Sequence, residues 1–195
     1  MKSRLNTFFI ALLRGINVGG KNIIKMEQLK QVFDDMGFSD VKTYIQSGNV
    51  IFRTLECDNL IERIENQLQK KFSTEIKTLV ITADDLSEIV ENAPENFGTK
   101  PEKFRYDVWF LLPPTMVNDV VSNLRLREGV DFLQAGKNVI YTSRLTSQMG
   151  KSYFSKIMQT QISRNFTIRN WNTTTKLLEL TSTTNKILER RTDCY

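Results

Sequence analysis

The sequence predicts an α+β protein, a tandem duplication of a ferredoxin-like βαββαβ unit with an extra helix after each copy. Three observations carry that expectation. The segment Tyr44-Ile45-Gln46-Ser47-Gly48-Asn49-Val50-Ile51-Phe52 returns as Phe132-Leu133-Gln134-Ala135-Gly136-Lys137-Asn138-Val139-Ile140-Tyr141. Such an internal repeat has to be found before a fold is read. The same order of apolar periodicities (strand, helix, hairpin, helix, strand) runs through both halves. Pro, Gly and Asn cluster at 94–103, where a linker fits, so the units are expected at 1–95 and 104–195.

In the first unit, residues 7–13 read as a buried strand. Lys2 and Arg4 before Phe8-Phe9-Ile10-Ala11-Leu12-Leu13 faintly resemble a signal peptide, but the apolar run is too short and Arg14-Gly15 ends it without a small-residue cleavage site. Leu29, Val32 and Phe33 mark one face of a helix over 26–36, and Gly37 stops it. Residues 41–46 and 50–53 read as a hairpin around Ser47-Gly48-Asn49. Leu60, Ile61, Ile64 and Leu68 stripe a second helix, and 76–81 read as a fourth strand. A further helix should open at Thr82, with Asp85 answering from three residues on and Leu86, Ile89 and Val90 as its stripe.

The second unit repeats the order. Residues 106–112 read as a strand, and Pro114 as the first residue of a helix striped by Val117, Val120, Val121 and Leu124. A hairpin is expected over 130–134 and 138–143. A helix carrying Met149, Tyr153, Phe154, Ile157 and Met158 follows, then a strand over 166–169. Asn172 or Thr173 should cap a last helix through Leu177, Leu178 and Leu180.

Composition narrows the chemistry. Of 195 residues, 40% are hydrophobic and 25% charged, the balance of a globular chain, and no stretch approaches membrane-spanning length. There is no histidine, which removes the usual catalytic triads and the commonest metal ligand. Proton chemistry would fall to carboxylates, Lys or Tyr. Cys57 and Cys194 are the only cysteines and form no CxxC, so neither a zinc site nor a disulfide framework is expected. A reducing cytoplasm is the expected compartment, and Cys194 at the chain end carries no assigned role. The net charge of +5 permits anionic partners without demanding one. No cofactor is implied and no membrane partner expected. The acidic pairs Asp34-Asp35 and Asp84-Asp85 read as solvated helix residues.

The two halves differ at one connection. Aligned on their hairpins, Gln46 matches Gln134 at an offset of 88; aligned on their first strands, Leu13 matches Leu112 at 99. The first unit therefore holds 11 extra residues between its first strand and first helix, within the segment Arg14-Gly15-Ile16-Asn17-Val18-Gly19-Gly20-Lys21-Asn22-Ile23-Ile24-Lys25. Its counterpart is Pro113-Pro114. A connection longer than folding requires suggests function. Glycine-freed amides before a helix N-terminus suit an anion, although neither a Walker A loop nor a GxGxxG pattern is present. The plainer alternative is a covering loop, with Gly19-Gly20 as turns and Ile16, Val18, Ile23 and Ile24 packed inward. The βαββαβ plan puts this loop and the first hairpin turn at one end of the sheet. Arg14, Asn17, Gly19, Gly20, Lys21, Asn22, Gln46, Ser47 and Asn49 should therefore form one rim. Arg and Lys would meet phosphate, and the amides would supply direction.

Arg169-Asn170-Trp171 is a second candidate cluster, able to stack on a base and read its edge. The alternative is that Trp171 plugs a core gap. The expected activity is binding of an anionic, phosphate-bearing ligand at the rim, with nucleic acid favoured over a phosphorylated small molecule. The enzymatic alternative is a transferase or hydrolase on a phosphorylated metabolite, using Lys21, Tyr44 or a carboxylate. The third is a non-catalytic interaction module working through open sheet faces, with the oligomeric state open.

Leu12-Leu13-Arg14-Gly15-Ile16-Asn17-Val18-Gly19-Gly20, Thr43-Tyr44-Ile45-Gln46-Ser47-Gly48-Asn49-Val50 and Arg169-Asn170-Trp171-Asn172-Thr173 resemble the signature segments of the bacterial domain of unknown function 1697 family. The resemblance implies a small bacterial cytoplasmic protein of two similar α+β units. It implies no established activity, cofactor or catalytic residue. The tail at 190–195 matches no motif.

Overall fold

The computed structural model describes residues 7–20 and 22–192, with side chains described as far as 182. Cys194 lies outside the described residues. The first half runs β1 (Phe9–Leu13), α1 (Met26–Asp35), β2 (Ser39–Tyr44), β3 (Asn49–Arg53), α2 (Leu60–Phe72), β4 (Thr78–Thr82) and α3 (Ala83–Glu91). The second runs β5 (Phe104–Leu111), α4 (Val117–Val121), β6 (Asp131–Ala135), β7 (Val139–Leu145), a 3-10 turn at Thr146–Lys151, α5 (Phe154–Ile157), a 3-10 turn at Gln161–Asn165, β8 (Phe166–Asn170) and α6 (Trp171–Thr192). The strands form two four-stranded antiparallel sheets, ordered β2-β3-β1-β4 and β6-β7-β5-β8.

The described chain divides into two compact units. The first holds residues up to 86 and those from Lys176 onward; the second is Ser87–Thr175. The division falls inside α3 rather than at the Pro/Gly-rich 94–103. The later half of α3 is bound within the second unit: Tyr141 Oη donates to Ile89 O at 2.6 Å, and Lys137 pairs with Glu88 at 3.1 Å. Burial, aided by the Glu88 carboxylate, pushes the Tyr141 phenol up to about 12, so it stays protonated and donating at neutral pH.

In the first unit, the α1 stripe Leu29, Val32 and Phe33 and the α2 stripe Leu60, Ile64 and Leu68 pack on Ala11, Leu13, Val50 and Phe52 of the sheet. Gly37, at φ +79°, turns the chain out of α1. Gly37 N donates to Asp34 O at 2.9 Å and Phe38 N to Phe33 O at 3.3 Å, the bonding that a left-handed residue after a helix allows. The turn brings the Phe38 ring onto Phe52, with centroids 4.6 Å apart. The expected start of α3 is seen in its bonds. Thr82 N and Oγ1 donate to Asp85 Oδ2 at 2.9 and 2.6 Å, and Asp85 N donates back to Thr82 Oγ1 at 3.0 Å.

The second unit has its own core of Trp109, Leu111, Val120, Ile140, Phe154, Ile157 and Phe166. Both sheets are buried on their opposite faces too, at Ile10, Leu12 and Ile51 in one and Val108 and Phe110 in the other.

Three local expectations need correction. Pro114 is not the first residue of a helix: α4 starts after Met116, whose N–H donates to the Asp119 carboxylate at 3.0 Å. The helix expected around 149–158 is broken into a 3-10 turn and the four-residue α5. Tyr153 N donates to Asp131 and Phe154 N to Ser152 Oγ, so α5 begins afresh there. The last helix is capped by Asn170, whose Oδ1 accepts from Asn172 N at 3.0 Å, rather than by Asn172 or Thr173.

Candidate functional site

The long connection after β1 and the β2–β3 turn meet at one end of the first sheet. Leu13 N donates to Gly48 O at 2.8 Å, and Arg14 N to Lys77 O at 2.8 Å. The turn is Ile45-Gln46-Ser47-Gly48 between the paired Tyr44 and Asn49, so Ile45 and Gln46 belong to the turn rather than to the strand. Ile45 takes φ +47° and Gly48 φ +74°. A Cβ on Gly48 would come within 2.8 Å of both Leu13 Cβ and Ile16 Cδ1. Glycine there lets the buried Ile16 close the loop onto the turn.

Asn17 is the node of this end. Its Nδ2 donates to Ile24 O at 3.0 Å and to Gln46 O at 2.8 Å, and its Oδ1 accepts from Ile24 N at 2.7 Å. One side chain thus joins both ends of the loop to the hairpin turn. Asn17 N also donates to Asn22 O at 3.0 Å, and Asn22 Nδ2 to Gly15 O at 3.0 Å. Both asparagines sit at positive φ, +53° and +49°, which Asn tolerates better than most residues. Asn49 is wholly buried and donates to Tyr44 O at 3.0 Å and Ser47 Oγ at 2.9 Å.

The expected rim therefore assembles, but Asn17, Asn22 and Asn49 turn their amides inward. Gly19, Gly20 and Gln46 are exposed, and Arg14 and Ser47 are half-buried. Lys21 lies outside the described residues. Neighbouring Lys77 pairs with Glu65 and Glu75 at 3.1 and 3.0 Å, and these carboxylates hold its ammonium above the ordinary lysine range. The covering-loop alternative accounts for only half of the apolar side chains. Ile16 and Ile24 are buried, whereas Val18 and Ile23 stand 65% and 78% exposed, with Ile45 of the turn at 48%. Each of these three is adjacent in sequence to a residue that the Asn17 side chain belongs to or bonds. Sequence reasoning missed this apolar crest. Its only signal was an isoleucine immediately before a polar turn.

Arg169, Asn170 and Trp171 belong to the second unit. Arg169 is buried, with Nη1 donating to Thr167 Oγ1 at 2.8 Å and Ile168 O at 2.9 Å. Burial pushes its guanidinium down to about 10, still charged at neutral pH. Asn170 Nδ2 donates to Tyr106 O at 2.9 Å while its Oδ1 caps α6. Trp171 packs edge-on against Phe97 at 5.0 Å and over Gly98, where a Cβ would meet the indole at 2.2 Å. These three side chains are engaged by their own unit, as the packing alternative for Trp171 expects. Among the described residues, no group of three or more Cys, Asp or Glu side chains gathers as a metal site, and no helix is long and apolar enough to cross a membrane.

The family model "Protein of unknown function (DUF1697)" matches residues 7–141, which include β1, the long loop, the first hairpin and the second as far as the start of β7. The chain belongs to this family. A solved structure, the conserved bacterial protein SP0830 from Streptococcus pneumoniae, matches with TM-score 0.78 at 28% identity. The match covers 90% of this DUF1697 chain and 98% of that one. No curated protein matches the chain. The Arg169-Asn170-Trp171 segment lies beyond the family-model match and within the second unit.

Proposed function

We propose that this DUF1697 protein is a binding protein made of two duplicated ferredoxin-like units, and that the first-unit rim takes an anionic, phosphate-bearing ligand, with nucleic acid favoured. The identical strand order of the two sheets supports the duplication. The carrying observation for the rim is the Asn17 node. It holds a loop in place against the hairpin turn through three hydrogen bonds, yet leaves Gly19 and Gly20 at the surface. Where the second unit connects strand to helix through residues 112–116, the first builds and braces a longer structure over residues 14–25.

The roles within the rim divide. Asn17, Asn22, Asn49 and Ser47 shape it. Arg14 and Lys21 would supply charge, Gln46 a directional amide, and the Gly19 and Gly20 backbones an approach for phosphate. The exposed Val18, Ile23 and Ile45 favour a macromolecule over a small metabolite, because a bound metabolite leaves such a crest uncovered. The net charge of +5 favours a polyanion.

The test is fluorescence anisotropy with a labelled single-stranded oligonucleotide over a range of salt. Arg14→Ala with Lys21→Ala should weaken binding and flatten the salt slope by about 1.4 for two lost phosphate contacts. Affinity untouched by the double change, or binding independent of salt, would remove the proposal.

A further inference from the structure

The second unit carries a cleft of about 480 Å³ on its helical side, whose lining includes Leu124, Arg125, Tyr153, Lys156, Ile157 and Ile162. That volume lies within the range of about 300–1,000 Å³ typical of small-molecule sites. No carboxylate is in the lining. Leu124, Ile157, Ile162 and the Tyr153 ring make an apolar wall, and cations stand beside it. Lys156 Nζ is 5.2 Å from the Tyr153 ring centroid and Arg127 Cζ is 5.8 Å from it, and Arg127 Nη1 donates to Tyr153 Oη at 3.3 Å. Among the described residues, Arg125, Arg127 and Lys156 join no ion pair, whereas Lys30, Arg63, Arg105, Lys137 and Arg144 each meet a carboxylate.

The cleft is built from beneath. Asp131 is 4% exposed, and its Oδ2 accepts from Arg127 N and from Tyr153 N, both at 2.9 Å. One buried carboxylate thus fixes the backbone on both sides of the cation cluster, and the side chains of those residues meet above it. The furrow between α1 and α2 of the first unit shows what a regular helix pair leaves. It measures about 240 Å³, half the size, and its lining sets Asp35 among Lys70 and Lys71. In the second unit, α4 has 5 residues and α5 has 4, against 10 and 13 in α1 and α2. Shortening the helices widens the gap, and the charged residues in its lining, Arg125 and Lys156, are both basic.

An apolar wall beside unpaired cations suits a ligand that is flat and apolar at one end and phosphorylated at the other. We propose that this cleft binds a nucleotide, with its base against Leu124, Tyr153 and Ile162 and its phosphate among Arg125, Arg127 and Lys156. Arginine favours phosphate through its forked donors, and removal from competing carboxylates leaves its charge for a ligand. The nucleotide is either free or one unit of a single strand. The site is independent of the first-unit rim.

The probes are AMP, inorganic phosphate and a labelled single-stranded RNA 12-mer, titrated into the full chain by calorimetry or anisotropy. The wild type should bind AMP or the 12-mer, and Arg127→Ala with Lys156→Ala should weaken that binding at least tenfold with an unchanged unfolding midpoint. Arg125→Ala is the second variant should the double change perturb folding, and it should weaken binding in the same direction. Arg14→Ala with Lys21→Ala should leave AMP affinity within twofold, which separates this site from the rim. Binding of AMP assigns a free nucleotide, and binding of the 12-mer without AMP assigns a strand only where Arg127→Ala with Lys156→Ala weakens it, since the rim is itself proposed to take an oligonucleotide. No binding of either probe, cleft variants that bind like wild type, or phosphate binding as tightly as AMP would overturn the proposal.

Discussion

In the first unit the Asn17 amide joins the two ends of a loop to a hairpin turn; in the second the Asp131 carboxylate joins residues 127 and 153. Both are polar side chains spent on backbone groups, and both fix segments that lack regular structure. What they hold differs. Around Asn17 the neighbouring amides of Asn22 and Asn49 also bond inward, and the side chains left at the surface are mainly apolar. Around Asp131, Arg127 and Tyr153 meet above the pinned backbone, beside Lys156 and Arg125. The lesson is that polar residue types in a loop do not announce a ligand. Whether their donors are already satisfied by the chain decides it.

That contrast can be broken by stability measurements. The largest effect is expected from Asn17→Ala. It removes three hydrogen bonds, each worth about 1 kcal/mol, and puts Ala at positive φ, worth about 1–2 kcal/mol more. Urea unfolding should therefore show a loss of about 4–5 kcal/mol. A loss under about 1 kcal/mol would mean that Asn17 is not the node, and would return it to the pool of ligand-binding side chains.

Asp131→Ala should come next, at about 2–4 kcal/mol. Two backbone N–H groups lose a charged acceptor, each worth about 1.5–3 kcal/mol. Part of that is offset because Asp131 Oδ1 is itself buried with no hydrogen-bond partner, and its removal relieves that cost. Hydrogen exchange at Arg127 and Tyr153 should accelerate in the variant. Unchanged protection at both amides would refute the pinning role.

The smallest pair sharpens the contrast most directly. Asn22→Ala in the rim should cost about 2–3 kcal/mol, through its bond to Gly15 O and its positive φ. Arg125→Ala in the cleft should change stability by no more than about 0.5 kcal/mol. Equal costs in a side-by-side melt would erase the distinction between a rim built for shape and a cleft that leaves its charges for a ligand.

Much of the architecture could be read in advance, for reasons local to the chain. The Thr82–Asp85 reciprocal cap, the Gly37 stop and the stripes of α1 and α2 each depend on residues within a few positions of one another. The meeting of loop and turn could also be read, because it follows from topology once the repeat is recognised. The places that could not be read turn on which of several competing partners, near or distant, a backbone group bonds. Pro114 suits a helix start, but Asp119 bonds Met116 and sets the start there. The 149–158 stripe has helical spacing, but Asp131, distant in sequence, takes the Tyr153 amide and restarts the helix. Arg169 carries a charge that suggests a surface, yet its place in β8, paired with the buried Val108 of β5, leaves it 5% exposed.

The amino-acid order by itself determined the mixed α+β class, the repeated succession of elements and the extra segment after the first strand, since periodicity, turn residues and a length difference are properties of nearby residues. Tertiary structure alone decided which polar groups remain available. A side chain's donors and acceptors are satisfied or left for a ligand according to partners far along the chain: Gln46 O for Asn17, Tyr106 O for Asn170, Tyr153 N for Asp131. Hydrogen bonding acts over about 3 Å of space, and distance along the sequence does not report it.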